Sequence, residues 1–177
     1  MFNDLWEFVK SHCKILAQNK AEMEFVYDLM VECESYLEIG TAEGNSLYIF
    51  GNALKKSSEI TYVDAAEVHT KKYREFMISQ MSDYKINAIH GNSHHKDAIT
   101  EAQKRRYDVV FIDAGHTYDD VIQDARNYAS LADKYVFFHD VQLPPVMKAF
   151  EDWQKESGKS GYTIINSENY GYGIIKL

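Results

Sequence analysis

Tyr36-Leu37-Glu38-Ile39-Gly40-Thr41-Ala42-Glu43-Gly44-Asn45-Ser46 decides the fold. A short β-rich run stops at the first of two glycines four residues apart, and an amphipathic stretch follows the second, which is the order of a strand, a turn and a helix. The alternation recurs downstream at Ile60-Thr61-Tyr62-Val63, Ile86-Asn87-Ala88-Ile89, Val109-Val110-Phe111-Ile112 and Tyr135-Val136-Phe137-Phe138. Helical stretches are expected near 45–57, 67–82, 95–106, 117–132 and 143–157, the last opened by Pro144-Pro145, residues suited to a first helical turn. Five runs with intervening helices predict a parallel sheet joined by right-handed crossovers.

The two ends depart from this rhythm. Tyr162-Thr163-Ile164-Ile165 and Gly173-Ile174-Ile175-Lys176-Leu177 are separated by the polar link Asn166-Ser167-Glu168-Asn169. That link is too short for a helical crossover, so these strands should form an antiparallel hairpin. Before Tyr36, Leu5, Trp6, Phe8, Val9, Cys13, Ile15 and Leu16 keep helical spacing, as do Phe25, Val26, Leu29, Met30 and Cys33. The expectation is an α/β fold: a seven-stranded, mostly parallel sheet with an antiparallel C-terminal hairpin and two N-terminal helices. One domain is expected over residues 1–177, with 1–33 as a helical extension.

Lys and Arg number 19 against 27 Asp and Glu, a net charge of −8, which repels phosphate backbones and argues against a nucleic-acid partner. Apolar stretches such as Val109–Ile112 fall far short of the ~20 residues that cross a bilayer, so no membrane partner is expected. Asp4 and Glu7 stand where a signal peptide carries lysines, which points to a cytoplasmic protein. Cys13 and Cys33 sit within helical patterns and read as buried thiols rather than a disulfide or zinc site.

In an open α/β sheet, ligands bind at the carboxyl ends of the strands, where strand order reverses. A dinucleotide fingerprint would place glycine at 40, 42 and 45; Ala42 and Asn45 stand there instead, which weakens a nicotinamide reading. Gly44 allows close backbone approach, and the helix start after it suits a carboxylate. Asp64, at the tip of the second run, is placed to accept ribose hydroxyls, and Asn92-Ser93 after the third run suits an adenine edge. Asp113-Ala114-Gly115-His116 and His139-Asp140 close the fourth and fifth runs, so two carboxylates and two imidazoles converge on one edge. Asp113, His139 and Asp140 form an incomplete oxygen-rich shell, suited to Mg²⁺ or Mn²⁺ rather than a closed zinc site. Taken one at a time, Asp113 reads as a helix cap and His139-Asp140 as a local ion pair. His90, His94 and His95 receive no role, while Tyr118, Tyr170 and Tyr172 are expected near the rim, where they could stack on a substrate.

From about Tyr36 to Leu177 the chain resembles class I S-adenosylmethionine-dependent methyltransferases, in the group of macrocin-type sugar O-methyltransferases and cephalosporin hydroxylase-like proteins. The resemblance rests on the Tyr36–Ser46 block, on Asp64, and on Phe111-Ile112-Asp113-Ala114-Gly115-His116-Thr117-Tyr118 with Phe138-His139-Asp140-Val141. It implies a Rossmann-like methyltransferase fold with S-adenosylmethionine as cofactor. Gly40, Thr41, Gly44 and Ser46 would then serve its methionine part, Asp64 the ribose, Asn92 and Ser93 the adenine, and Glu38 and Asp113 would also bind the cofactor. It also implies Asp113 and Asp140 as metal ligands and His116 as the proton acceptor. The chain departs from the group at His139, where metal-bearing members usually carry an acid; imidazole favours Mn²⁺ over Mg²⁺. The acceptor implied is a hydroxyl of a small molecule or a glycan, in a pocket that is open or completed by a partner subunit in a homo-oligomer. The alternative is a non-catalytic protein that holds S-adenosylmethionine or a related nucleoside.

Overall fold

The strands β1 (Ser35–Ile39), β2 (Glu59–Asp64), β3 (Lys85–His90), β4 (Tyr107–Ile112), β5 (Ala132–His139), β6 (Gly161–Ile164) and β7 (Tyr172–Lys176) form one sheet in the order β3-β2-β1-β4-β5-β7-β6. This computed structural model describes residues 1–13, 18–65, 68–165 and 170–177. Strands β1 to β5 run parallel, and β7 lies antiparallel between β5 and β6, as the C-terminal pattern predicts. Ile15, Leu16 and the polar link 166–169 lie outside the described residues. The order reverses between β1 and β4, so the crevice above these strands is the ligand position for such a sheet.

Alternation along each strand divides the core in two. Tyr36, Val109, Phe111 and Phe137 face one way and pack with α1 (Phe2–His12), α2 (Lys20–Met30), α3 (Asn45–Gly51) and Met77 of α4 (Val68–Ser79). Leu37, Ile39, Val110, Ile112, Val136 and Phe138 face the other way, toward α5 (Lys96–Ala102), α6 (Tyr118–Tyr128) and α7 (Pro144–Ser157). Each fully buried large apolar side chain contributes about 1.5–3 kcal/mol, enough to fix the register, because a one-residue slip would turn every strand inside out.

Three expected boundaries move. The helix expected over 45–57 ends at Gly51. Beyond it the chain bonds to other elements, Lys55 N to Cys33 O and Ser57 N to Asp83 O, and Ser57 takes a left-handed conformation. The helix expected over 95–106 covers only Lys96–Ala102. The one expected over 117–132 stops at Tyr128, passes through a 3₁₀ turn at Ala129–Leu131, and β5 begins at Ala132. Arg106 fixes that turn by donating to the carbonyls of Ser130 and Ala132.

Candidate active site

The turn after β1 is built around two left-handed glycines. Gly40 has φ +86°, and a Cβ there would come within 2.4 Å of Asp113 O and of Ala114 Cα, so β1 and β4 touch through bare backbone. Gly44, also at φ +86°, is the N-cap of α3. Asp64 at the tip of β2 holds the turn from below: its Oδ2 accepts from the N–H groups of Thr41 and Ala42, each at 2.9 Å. Its Oδ1 pairs with the Arg74 guanidinium at 2.8 Å, and Arg74, only 1% exposed, also donates to Ala42 O at 2.8 Å. Sequence reasoning missed Arg74, which stands beside Lys71, Lys72 and Glu75 with no local signal that its side chain is buried.

Above this turn lies a cavity of about 340 Å³ bordered by Asp64, Asn92, Ser93, Asp113 and Gly115. The structure thus brings the expected ribose and adenine residues to one pocket. Glu38 is placed differently. It is fully buried beneath the turn, borders neither cavity, and accepts from Tyr36 Oη at 2.5 Å and Ser46 Oγ at 2.6 Å. Burial raises its carboxyl to about 8 against the opposing pull of those two hydrogen bonds.

A second cavity of about 300 Å³ shares Gly40, Ala42, Thr70, Asp113 and Ala114 with the first, so the two are continuous. Thr41, Gly44's neighbour Asn45, and Ser46 line it, together with Gln18, His116, His139, Asp140 and Tyr170. Here the ends of β4 and β5 place four titratable groups in a row. His139 Nδ1 lies 3.0 Å from Asp113 Oδ1 and 3.4 Å from Asp140 Oδ2, and His116 Nε2 lies 2.6 Å from Asp140 Oδ2. Asp140 adopts a left-handed backbone, φ +57°, as the chain turns off β5. Carboxylates only accept, so the protons sit on His139 Nδ1 and His116 Nε2, leaving His116 Nδ1 as the open ring nitrogen of the neutral form.

Electrostatics follow from the row. Burial opposes charge on His139, yet Asp113 and Asp140 outweigh it and raise the imidazole to about 10. Burial likewise works against the Asp140 carboxylate, and its bonds from His116 and His139 prevail, holding it at about 2. The hydrogen bond to Asp140 raises His116, whose side chain is half exposed. Thr117, not His116 or Asp113, caps α6, accepting from Asp120 N.

The remaining expectations divide. Gln18 was missed; it donates to Asp113 Oδ2 at 3.3 Å from 95 residues away in sequence, a contact that leaves no periodic trace. Tyr170 lines the second cavity and stacks on His139. Tyr172 is a correction: it is fully buried against Phe111 and His139, because β7 pairs with β5 and turns this ring into the core. Tyr118 donates to Asp152 on α7 and borders neither cavity. Cys33 is buried as expected, whereas Cys13 is half-buried with its thiol on Asn45 Oδ1; burial pushes both thiols up, to about 11 and about 12 respectively.

Residues 37–141, from β1 through the end of β5, match the family described as methyltransferase domain. The chain belongs to that family. Over 89 residues the chain is 30% identical to tapetum-specific methyltransferase 1 of Arabidopsis thaliana, covering 50% of this chain and 38% of the plant protein. The chain therefore spans well under half of that relative. Among solved structures, a Staphylococcus aureus protein provisionally assigned as a caffeoyl-CoA O-methyltransferase superposes with a TM-score of 0.76 at 18% identity, over 99% of this chain and 92% of that one. The O-methyltransferase TomG of Streptomyces achromogenes, solved with S-adenosylmethionine, gives 0.72 at 14% identity, over 99% and 88%. A Bacillus cereus O-methyltransferase, solved with S-adenosylhomocysteine, gives 0.71 at 12%, over 99% and 90%. At such identities these likenesses establish the fold, and they bear out the expected Rossmann-like methyltransferase architecture. No described helix is long and apolar enough to cross a membrane.

Proposed function

We propose that this methyltransferase domain transfers a methyl group from S-adenosylmethionine to a hydroxyl of a small molecule. The observation that carries the reading is the pair of continuous cavities, one bordered by Asp64, Asn92 and Ser93 and the other ending on the Asp140–His116 pair at 2.6 Å. The first suits an adenosyl group. Asp64, held at the tip of β2 by Thr41, Ala42 and Arg74, presents a carboxylate to the ribose hydroxyls, and Asn92 and Ser93 offer polar edges for the base. The second cavity suits the methionine tail and the acceptor: Thr41 Oγ1 and Gln18 Oε1 line it, buried and without hydrogen-bond partners among the described residues. Such atoms favour a polar ligand. The solved relatives that hold S-adenosylmethionine or S-adenosylhomocysteine lend the cofactor assignment further support.

In the transfer, the acceptor oxygen forms a bond to the methyl carbon as the carbon–sulfur bond breaks, with the electron pair staying on sulfur. Asp140 holds the His116 proton on Nε2, so Nδ1 takes the hydroxyl proton, and the resulting imidazolium is stabilised by the same carboxylate. Alignment of oxygen, carbon and sulfur between the two cavities supplies the rest, an effect that reaches ~7–11 kcal/mol in favourable cases. The residues also fit a divalent cation: one atom each from Asp113, His139 and Asp140 lies within 4.8 Å of the others, and the nitrogen donor favours Mn²⁺ over Mg²⁺. Bound there, such an ion would acidify the acceptor hydroxyl. His139 Nδ1 must shed its proton to ligate, so Asp113 and Asp140 carry the assignment.

The test is methyl transfer from labelled S-adenosylmethionine to a panel of phenols, sugars and hydroxylated metabolites, with and without Mn²⁺, alongside calorimetric binding of S-adenosylhomocysteine. Binding with transfer to a hydroxyl is the expected result. Binding without transfer across the panel would favour a non-catalytic holder of the nucleoside, and absence of binding would remove the cofactor assignment.

A further inference from the structure

The head of α2 and the stretch just before β7 are far apart in sequence and meet beside the second cavity. Asn19 fixes the start of α2 by accepting from Ala21 N at 3.0 Å and Glu22 N at 3.4 Å. From there Gln18 donates to Asp113 at the end of β4, and the Glu22 carboxylate accepts from Gly171 N at 3.0 Å, 149 residues further along the chain. Glu22 has no exposed surface. A carboxylate tolerates such burial only where donors meet it, and a bond from a backbone N–H to a charged oxygen is stronger than one between neutral groups.

Gly171 is tightly placed. Its φ is +96°, and a Cβ there would come within 3.1 Å of Ile164 O in β6 and 3.3 Å of Gln142 Cγ beyond β5. Two further bonds lay the same stretch along the end of β5: Gln142 N donates to Tyr170 O at 3.0 Å, and Val141 N to Gly171 O at 3.4 Å. Held in this way, the Tyr170 ring lies nearly parallel to His139, with 11° between the planes and 6.0 Å between centroids, and forms part of the cavity wall.

We infer that Glu22 is a positioning residue for the methyl acceptor: by holding Gly171 it sets the Tyr170 ring that borders the acceptor's cavity. The inference rests on the transfer reading given above. Neither Glu22, Tyr170 nor Gly171 borders the first cavity, so losing Glu22 should act on the acceptor and spare the adenosyl group. A wall displaced by ~1 Å is enough, because misplacements of that size cost up to about 10²-fold in rate.

The experiment compares the full chain with Glu22→Ala, Glu22→Gln and Tyr170→Ala. It measures S-adenosylhomocysteine affinity by calorimetry, steady-state kinetics with an acceptor found by the hydroxyl panel, and amide exchange at Gly171 by NMR. Glu22→Ala should raise the acceptor KM about tenfold and speed Gly171 exchange at least about tenfold, with S-adenosylhomocysteine affinity within about threefold of wild type. Glu22→Gln keeps a carbonyl oxygen to accept from Gly171 N and should restore both to within about threefold. An acceptor KM within about threefold of wild type in Glu22→Ala, or an equal loss of cofactor affinity, overturns the inference and leaves Glu22 a role in stability alone. Should Glu22→Ala fail to fold, Tyr170→Ala decides: a rise of about tenfold in KM with affinity retained supports the inference, and an unchanged KM overturns it. If no acceptor is methylated the transfer reading fails, and exchange decides whether Glu22 fixes the wall: a Gly171 rate within about threefold of wild type overturns it.

Discussion

The two cavities hold their carboxylates by different means. Asp64 is fixed by two backbone N–H groups and a buried guanidinium, none of which changes charge near neutral pH. Asp113 and Asp140 are fixed by imidazoles, His139 and His116, which carry ring protons that can be passed on. The first arrangement pre-forms a binding surface; the second keeps protons within reach of a ligand. The proposed methyl transfer uses both properties side by side, one to hold the cofactor still and one to accept a proton, and the shared wall of Gly40, Asp113 and Ala114 joins the two cavities.

Breaking the rigid side should produce the largest loss of stability. Arg74→Met leaves Asp64 without its buried partner and Ala42 O without its donor, and removal of one member of a buried ion pair costs about 3–5 kcal/mol. Denaturant unfolding checks this; a change under about 1 kcal/mol would show that the two backbone bonds hold Asp64 unaided. Asp64→Asn is milder. It keeps the shape, removes the charge, and should weaken S-adenosylhomocysteine binding by about 1.5–3 kcal/mol by calorimetry.

Glu38 sharpens the contrast, because it is a titratable group within the rigid side. Burial holds its carboxyl at about 8, above the 4.5 of a free glutamate, so the folded chain holds the proton more tightly. Its contribution to stability is complete below about 4.5 and is lost as pH rises through about 8. Glu38→Gln should therefore flatten that decline, gaining about 3 kcal/mol on wild type between pH 5 and pH 8 in urea unfolding. A parallel decline in both proteins would mean that Glu38 is ionised throughout. The smallest effect is expected at the cap of α6: Thr117→Ala should cost about 1 kcal/mol of stability and leave turnover per folded molecule within about threefold. A collapse of turnover would tie helix capping to the chemistry next door.

Much of the fold was legible because it depends on local periodicity. Strand alternation and the glycine-bounded turn specify which edge Asp64, Asp113, His116, His139 and Asp140 share, and all five meet there. Element ends were less legible. All seven residues of α3 are buried, so no amphipathic stripe marks where it stops, and its end is set by bonds to Cys33 and Asp83. Arg74 and Gln18 escaped for a related reason. Arg74 lies among charged helical neighbours and Gln18 in the bend before α2, and only tertiary contact distinguishes a side chain aimed inward from one in solvent. Tyr172 was misjudged because a strand-end tyrosine at the C-terminal edge can face either the cavity or the core, and its pairing opposite His139 sends it inward.

The division of labour between the two cavities is tested most directly on His116→Gln, by measuring S-adenosylhomocysteine affinity and methyl-transfer turnover on the same preparation with an acceptor found by the hydroxyl panel. His116 borders only the second cavity, is half exposed and does not cap α6. Turnover should fall by about 10²–10⁴ while affinity stays within about threefold, the signature of a lost general base. Turnover within about threefold of wild type, with affinity retained, would contradict the account.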